Sequence, residues 1–158
     1  MNNQKINNIN IGNCGEYYVA AELERRGFNV AVPMSNVDNF DILAINKNKP
    51  YNQYAIQVKT TTKASWLLSK KNEDIVGDNI YYVFVKLVGD NMPEYYIYPS
   101  KYVAENIKVN HEEWLKKPGK NGQTHKYNSM REFKCEIDYK ISGTILNKYA
   151  EKTNAIMK

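Results

Sequence analysis

The 158-residue sequence predicts a single α/β domain, a central mixed β-sheet flanked by helices. Three observations predict it. A stretch with an apolar stripe at helical spacing comes first, over residues 12–26. A block of β-type runs follows, at 28–33, 40–46, 54–60, 80–88 and 95–99. Helical pieces then close the chain, and a strand block between helices makes a sheet with helical cover.

Composition agrees. Hydrophobic residues make up 42% and charged residues 25%, which suits a globular protein with a real core. No repeat and no Pro/Gly/Ser-rich linker divides the chain, so residues 1–158 read as one domain. The Asn-rich residues 1–10 read as a loose tail and lack the apolar core of a secretory signal. No window approaches the apolar length of a membrane span. Cys14 and Cys135 are the two cysteines, with no C-x-x-C pair, and free thiols in a reducing cytoplasm are expected. A net charge of +5 and a pI near 9.0 lean toward a polyanionic partner.

Element by element, "GNCGEYYVAAELERR" reads as a helix with Val19, Ala20 and Leu23 on one face and Gly27 where it would stop. Glu16 shares that face. "FNVAVP" reads as a strand ending at Pro33, and "SNVDN" as a turn, with Asn36 and Asp38 as Asx-type residues. "FDILAIN" and "YAIQVKT" are the next two strands, joined by a turn at "KNKPYN". "SWLL" could continue the sheet after a kink, and "KKNEDIVGDN" is a polar connection. "IYYVFVKLV" is apolar on both faces, as a central strand is, and "YYIYP" follows. Ser100 can cap a helix from Lys101 to about Asn106. A separate helical piece is expected at 111–117, a loop at 118–129, and short helices at "MREF" and around "ISGTILNKYAEK".

The chemistry concentrates in the first half. Asp41 opens the second strand, just after the polar turn. Gln57 and Lys59 lie two apart on the third, and therefore on one face. If the two strands pair as antiparallel neighbours, Asp41 meets Gln57 and Lys59. An acid, an amide oxygen and a lysine at a sheet's end make a hard-cation site. Mg²⁺ takes oxygen ligands, one or two carboxylates among them, and keeps several waters. Such a cation polarises a phosphodiester and activates water. Lys59 could orient that water or stabilise charge growing on the phosphate. Glu16 could reach the site from the helix, as a direct or water-mediated ligand. The ordinary alternatives are a solvated strand face for Gln57 and Lys59, a turn-end acid for Asp41, and a surface helix acid for Glu16.

Further along, Lys63, Lys70 and Lys71 could contact phosphates and Trp66 could stack on a base. The alternatives are a solvated charge run and a core tryptophan. His111 and Trp114, at i and i+3, with His125 and Arg131 beyond, could form a second, partner-recognising surface, although Trp114 also reads as core. His111, His125 and Cys135 lack zinc-finger spacing, and no Ser or Cys nucleophile pattern accompanies either histidine.

The residues "GEYYVAAELERRGFNV … NFDILAI … YAIQVKT" resemble the PD-(D/E)XK nuclease superfamily over residues 12–62. The resemblance implies a restriction-endonuclease-like fold with an αβββαβ core, and Mg²⁺-dependent hydrolysis of DNA phosphodiesters, with Mn²⁺ as a substitute. It matches Glu16 to the helix acid, Asp41 to the metal-binding Asp, Gln57 to the first position of the acid-x-Lys pair and Lys59 to the lysine. Gln57 in place of the acid looks like the Q-x-K form of the Mrr-like branch, and Phe40 stands where a Pro is usual. The same resemblance allows a homodimer, for which the sequence shows no seam. The alternative from another class is an inactive module of the same fold that binds nucleic acid or a protein partner. RNA is a further substrate to consider, because the 13 Tyr residues could stack unpaired bases.

Overall fold

The computed structural model describes residues 7–34, 39–135 and 140–141. The first helix, α1 (Asn8–Arg25), begins inside the stretch read as a tail. Asn7 caps it, its side chain accepting the Ile9 N–H at 3.1 Å. Gly27, with φ 86°, then turns the chain into β1 (Phe28–Ala31). β2 (Ile42–Asn46) and β3 (Lys49–Thr61) form a hairpin, with β3 starting earlier than its apolar part suggested. The expected turn residues Asn36 and Asp38 lie outside the described residues, as do residues 1–6 and, beyond Ile141, the stretch expected to form a terminal helix.

β3 is the pivot of the sheet. It runs antiparallel to β2 and parallel to β5 (Ile80–Lys86), counting β4 (Trp66–Ser69) between them. β6 (Glu94–Pro99) then pairs antiparallel with β5, and β8 (Lys140–Ile141) with β6. The strand order β1-β2-β3-β5-β6-β8 is a mixed sheet, as expected. Its central strand β5 is buried along five consecutive residues on both faces.

The connection from β3 to β5 departs from the αβββαβ order. It holds β4 and a 3₁₀ turn (Lys70–Glu73), with no α-helix. β4 does not extend the sheet either. It pairs antiparallel with β7 (Met130–Phe133) in a separate two-stranded ribbon. "MREF" is thus a strand and not a helix. Arg131 and Phe133 alternate inward, and a buried Arg made the inward face look polar.

The two expected helical pieces after Ser100 are one helix, α2 (Ser100–Lys116). Its buried stripe runs Val103, Ala104, Ile107, His111, and the polar His111 hides the stripe's continuation. Ser100 does not cap. Its hydroxyl accepts from the Gly77 N–H (3.0 Å) and donates to the Gly77 carbonyl (3.1 Å).

The sheet is covered on both faces. α1 lies against β3 so closely that a Cβ on Gly15 would stand 1.9 Å from Thr60 Oγ1. The other face carries an aromatic core in which Phe84 stacks on Phe133 (4.4 Å between centroids) and meets Trp66 and Tyr98 edge-on. Among the described residues no helix is long and apolar enough to cross a membrane.

Candidate active site

The β2–β3 register sets the site. Ile42 faces Ile56, so Asp41, one step earlier, meets Gln57. Asn39, at φ 75°, turns the preceding loop toward β2, a conformation that Asn tolerates better than most residues. The Asp41 N–H donates to the Ile56 carbonyl at 2.8 Å. Asp41 Oδ2 accepts two bonds, from Gln57 Nε2 and from the Val58 N–H, each 2.7 Å. Both fall on one oxygen, and among the described residues neither a side chain nor the backbone bonds Oδ1.

The polar face of β3 is not a wet one. The parallel register sets Gln57 beside Tyr82 and Lys59 beside Phe84, at the margin of the aromatic core. Gln57 is only 7% exposed. Burial pushes the Lys59 ammonium below the ordinary lysine value, with Lys71 adding repulsion and Asp41 and Glu16 opposing the shift. Glu16, half-buried on α1, is shifted up by its own burial and by the Asp41 charge, with Lys59 acting against both. Glu16, Asp41 and Lys59 therefore feel one another's charges, although they come from a helix and two strands. Gly15 makes this possible, since its missing side chain lets α1 approach β3.

Two residues beside the site were not legible in the sequence. Asn72 is buried in the 3₁₀ turn. It accepts from the Ser69 N–H (3.0 Å) and hydroxyl (3.1 Å) and donates to the Tyr82 hydroxyl (3.0 Å). Tyr82 is fully buried, and burial, aided by the Asp41 charge, pushes its phenol up to about 12. No sequence signal marks either, because Tyr82 comes to Gln57 through the parallel β3–β5 register.

The four residues expected to touch nucleic acid separate. Lys71 is exposed and close enough to act on Lys59. Lys63 is exposed in the turn after β3. Lys70 is exposed but turns elsewhere, its ammonium 5.7 Å from the Tyr127 ring centre. Trp66 cannot stack on a base. It is 3% exposed, its Nε1–H donates to the Val85 carbonyl at 3.1 Å, and its ring packs on Phe84 and Tyr96.

A divalent cation fits the donor set. Among the described residues no hydrogen bond reaches Asp41 Oδ1, and the Glu16 carboxylate is destabilised by Asp41, a repulsion that a cation would relieve. Among the described residues no three His, Cys, Asp or Glu side chains gather around one point. Such an ion would hold at most two carboxylates here, within the habit of Mg²⁺.

No family model and no curated protein matches this chain. Solved structures do. One is Hjc, a Holliday junction resolvase from the archaeal hyperthermophile Archaeoglobus fulgidus, similar over 93% of this chain and 98% of that one, with 16% identity and a TM-score of 0.49. Another is the bacterial homing endonuclease I-Ssp6803I, similar over 84% of this chain and 81% of that one, with 9% identity and a TM-score of 0.49.

Proposed function

We propose that this chain is a Mg²⁺-dependent nuclease that hydrolyses DNA phosphodiesters at Asp41, Gln57, Lys59 and Glu16, with Mn²⁺ able to replace Mg²⁺. The supporting observation is the convergence of Asp41 with the buried Gln57 and its electrostatic coupling to Lys59 and Glu16. When bound, the cation would supply a Lewis acid for the phosphate and lower the pKa of an attacking water. Asp41 would offer Oδ1 to it, Glu16 a second carboxylate and Gln57 its amide oxygen. The Val58 N–H holds Asp41 in place. Lys59, held at the rim of a low-dielectric core, would stabilise charge growing on the phosphate or orient the water. Lys71 and Lys63 would meet neighbouring phosphates.

Purified protein is expected to cut plasmid or branched DNA with Mg²⁺ or Mn²⁺. Asp41→Ala and Lys59→Ala should each lose on the order of a hundredfold or more. Cleavage that survives both substitutions would refute the assignment.

One observation favours a second reading, an inactive module that binds nucleic acid or a protein. Gln57 and the Val58 N–H already hold Asp41 Oδ2 without any cation. A divalent titration of the wild-type protein separates the two, because the inactive module has no metal site to fill.

A further inference from the structure

A groove of about 470 Å³ lies between α2 and the β4–β7 ribbon, lined by residues that take no part in the Asp41 site. Its size is that of a small-ligand site. Its walls include Leu67, Trp114 and Met130, which are 64%, 36% and 49% exposed. His111 also lines it, and His111 is only 8% exposed. The Nε2 of His111 finds no hydrogen-bond partner among the described residues. Native interiors seldom leave such a group unpaired. It is closed to solvent as the ring lies, so a ligand atom reaches it only when the ring turns into the groove.

The charges point to the ligand. Arg131 also lines the groove, but its guanidinium is spent on Glu73, the Asn128 and Met130 carbonyls and the Tyr127 hydroxyl. The floor is therefore close to neutral. Beside it, residues 115–131 contain Lys116, Lys117, Lys120, Lys126 and Arg131 and no acid, and the four lysines are all exposed. Glu113 and Glu132 also line the groove, opposed there by Lys117 and by Lys134, whose ammonium lies 3.7 Å from Glu132. Trp114 belongs to a run of stacked rings, with His125 at 3.9 Å and His111 at 5.5 Å between centroids. Such a site suits a flat group with a hydrogen-bonding edge, joined to a chain of negative charges.

We infer that this groove binds single-stranded nucleic acid, seating one unpaired base against Trp114, Leu67 and Met130. With its ring turned into the groove, His111 gives Nε2 to the base edge, and Lys116 at the end of α2 and the lysines of the following loop hold the adjoining phosphates. The site is separate from the proposed cleavage site and requires no metal.

The test is the anisotropy of a labelled oligothymidylate titrated in EDTA, so that it reads this groove whether or not the Asp41 site cuts DNA. Wild-type protein is expected to bind the single strand about tenfold more tightly than a duplex of equal length. Trp114→Ala, and Lys117→Glu combined with Lys120→Glu, should each weaken binding on the order of tenfold. Lys49→Glu, at the start of β3, should not. His111→Leu should weaken binding while raising the melting temperature, because it removes an unpaired buried polar group. The inference is overturned by absent single-strand binding, by equal affinity for duplex, or by groove variants that bind like wild type. It is also overturned if an acidic peptide competes as well as the oligonucleotide, which would make the groove a protein-docking site.

Discussion

Gln57 donates its side-chain amide to Asp41 across 2.7 Å, from a position almost closed to solvent. The bond holds the carboxylate at the end of β2 without a cation. A carboxylate in place of Gln57 would turn this contact into a repulsion. Gln57→Glu should lose about 1.5–3 kcal/mol of stability in EDTA, the usual worth of a hydrogen bond to a charged group. Millimolar Mg²⁺ or Mn²⁺ should restore much of it. Melting curves with and without the metal check this, and equal melting temperatures in both would show that no cation sits between the two residues.

Lys59 bears a cost in stability for its position. Burial lowers its pKa, so folding disfavours its charged form. Between that lowered value and the ordinary 10.5, the unfolded chain binds more protons than the folded one. Wild-type stability should therefore gain a rising contribution as pH climbs through this window. Glu16 works in the opposite sense. Its raised pKa makes the folded state bind more protons above 4.5, so its contribution falls as pH rises to the raised value. Lys59→Met should remove the alkaline limb and stabilise the protein at neutral pH, while abolishing cleavage. Urea unfolding across a pH series reads the first effects, and a plasmid assay the last.

Gly15 fixes the distance from α1 to β3. An alanine there would meet Thr60 Oγ1 at 1.9 Å and its Cβ at 2.9 Å, so the helix or the strand must move. Gly15→Ala should cost about 1–3 kcal/mol, the range for overpacked contacts. It should also reduce cleavage by moving Glu16 away from Asp41. Adding Thr60→Ala should recover part of both losses, and unchanged melting in the single variant would contradict the close approach.

Arg131 anchors the ribbon. Its side chain is buried, and its Nε–H donates to Glu73 in the 3₁₀ turn. Glu73→Ala would leave a buried guanidinium without its partner, at about 3–5 kcal/mol. Urea denaturation measures this, and a loss within the range of an exposed pair would contradict the buried one.

The first half of the fold was legible because its signals were local. Val19 and Leu23 repeat at helical spacing, β2 and β3 are joined by a short turn, and the nearly apolar β5 is central. Antiparallel pairing of β2 with β3 then followed, and with it the meeting of Asp41 and Gln57. The second half depended on contacts distant in sequence. Nothing near Trp66 announces that it pairs with Phe133, so the sequence does not show the ribbon and "MREF" reads as a helix. Nothing near Arg131 announces Glu73, 58 residues away, as the partner that allows its burial. The polar His111 breaks the apolar stripe of α2, so in the sequence one helix reads as two. For the same reason the sequence left the polar face of β3 open to a solvated reading. Its burial comes from the ribbon and from the register with β5.

The most direct test of the central claim is a calorimetric titration of Mn²⁺ into the metal-free protein and into Asp41→Asn, with both confirmed folded by circular dichroism. A divalent site that saturates in the wild type and disappears in Asp41→Asn is the expected result. No binding heat in the wild type, or the same heat in both proteins, would contradict a cation site at Asp41.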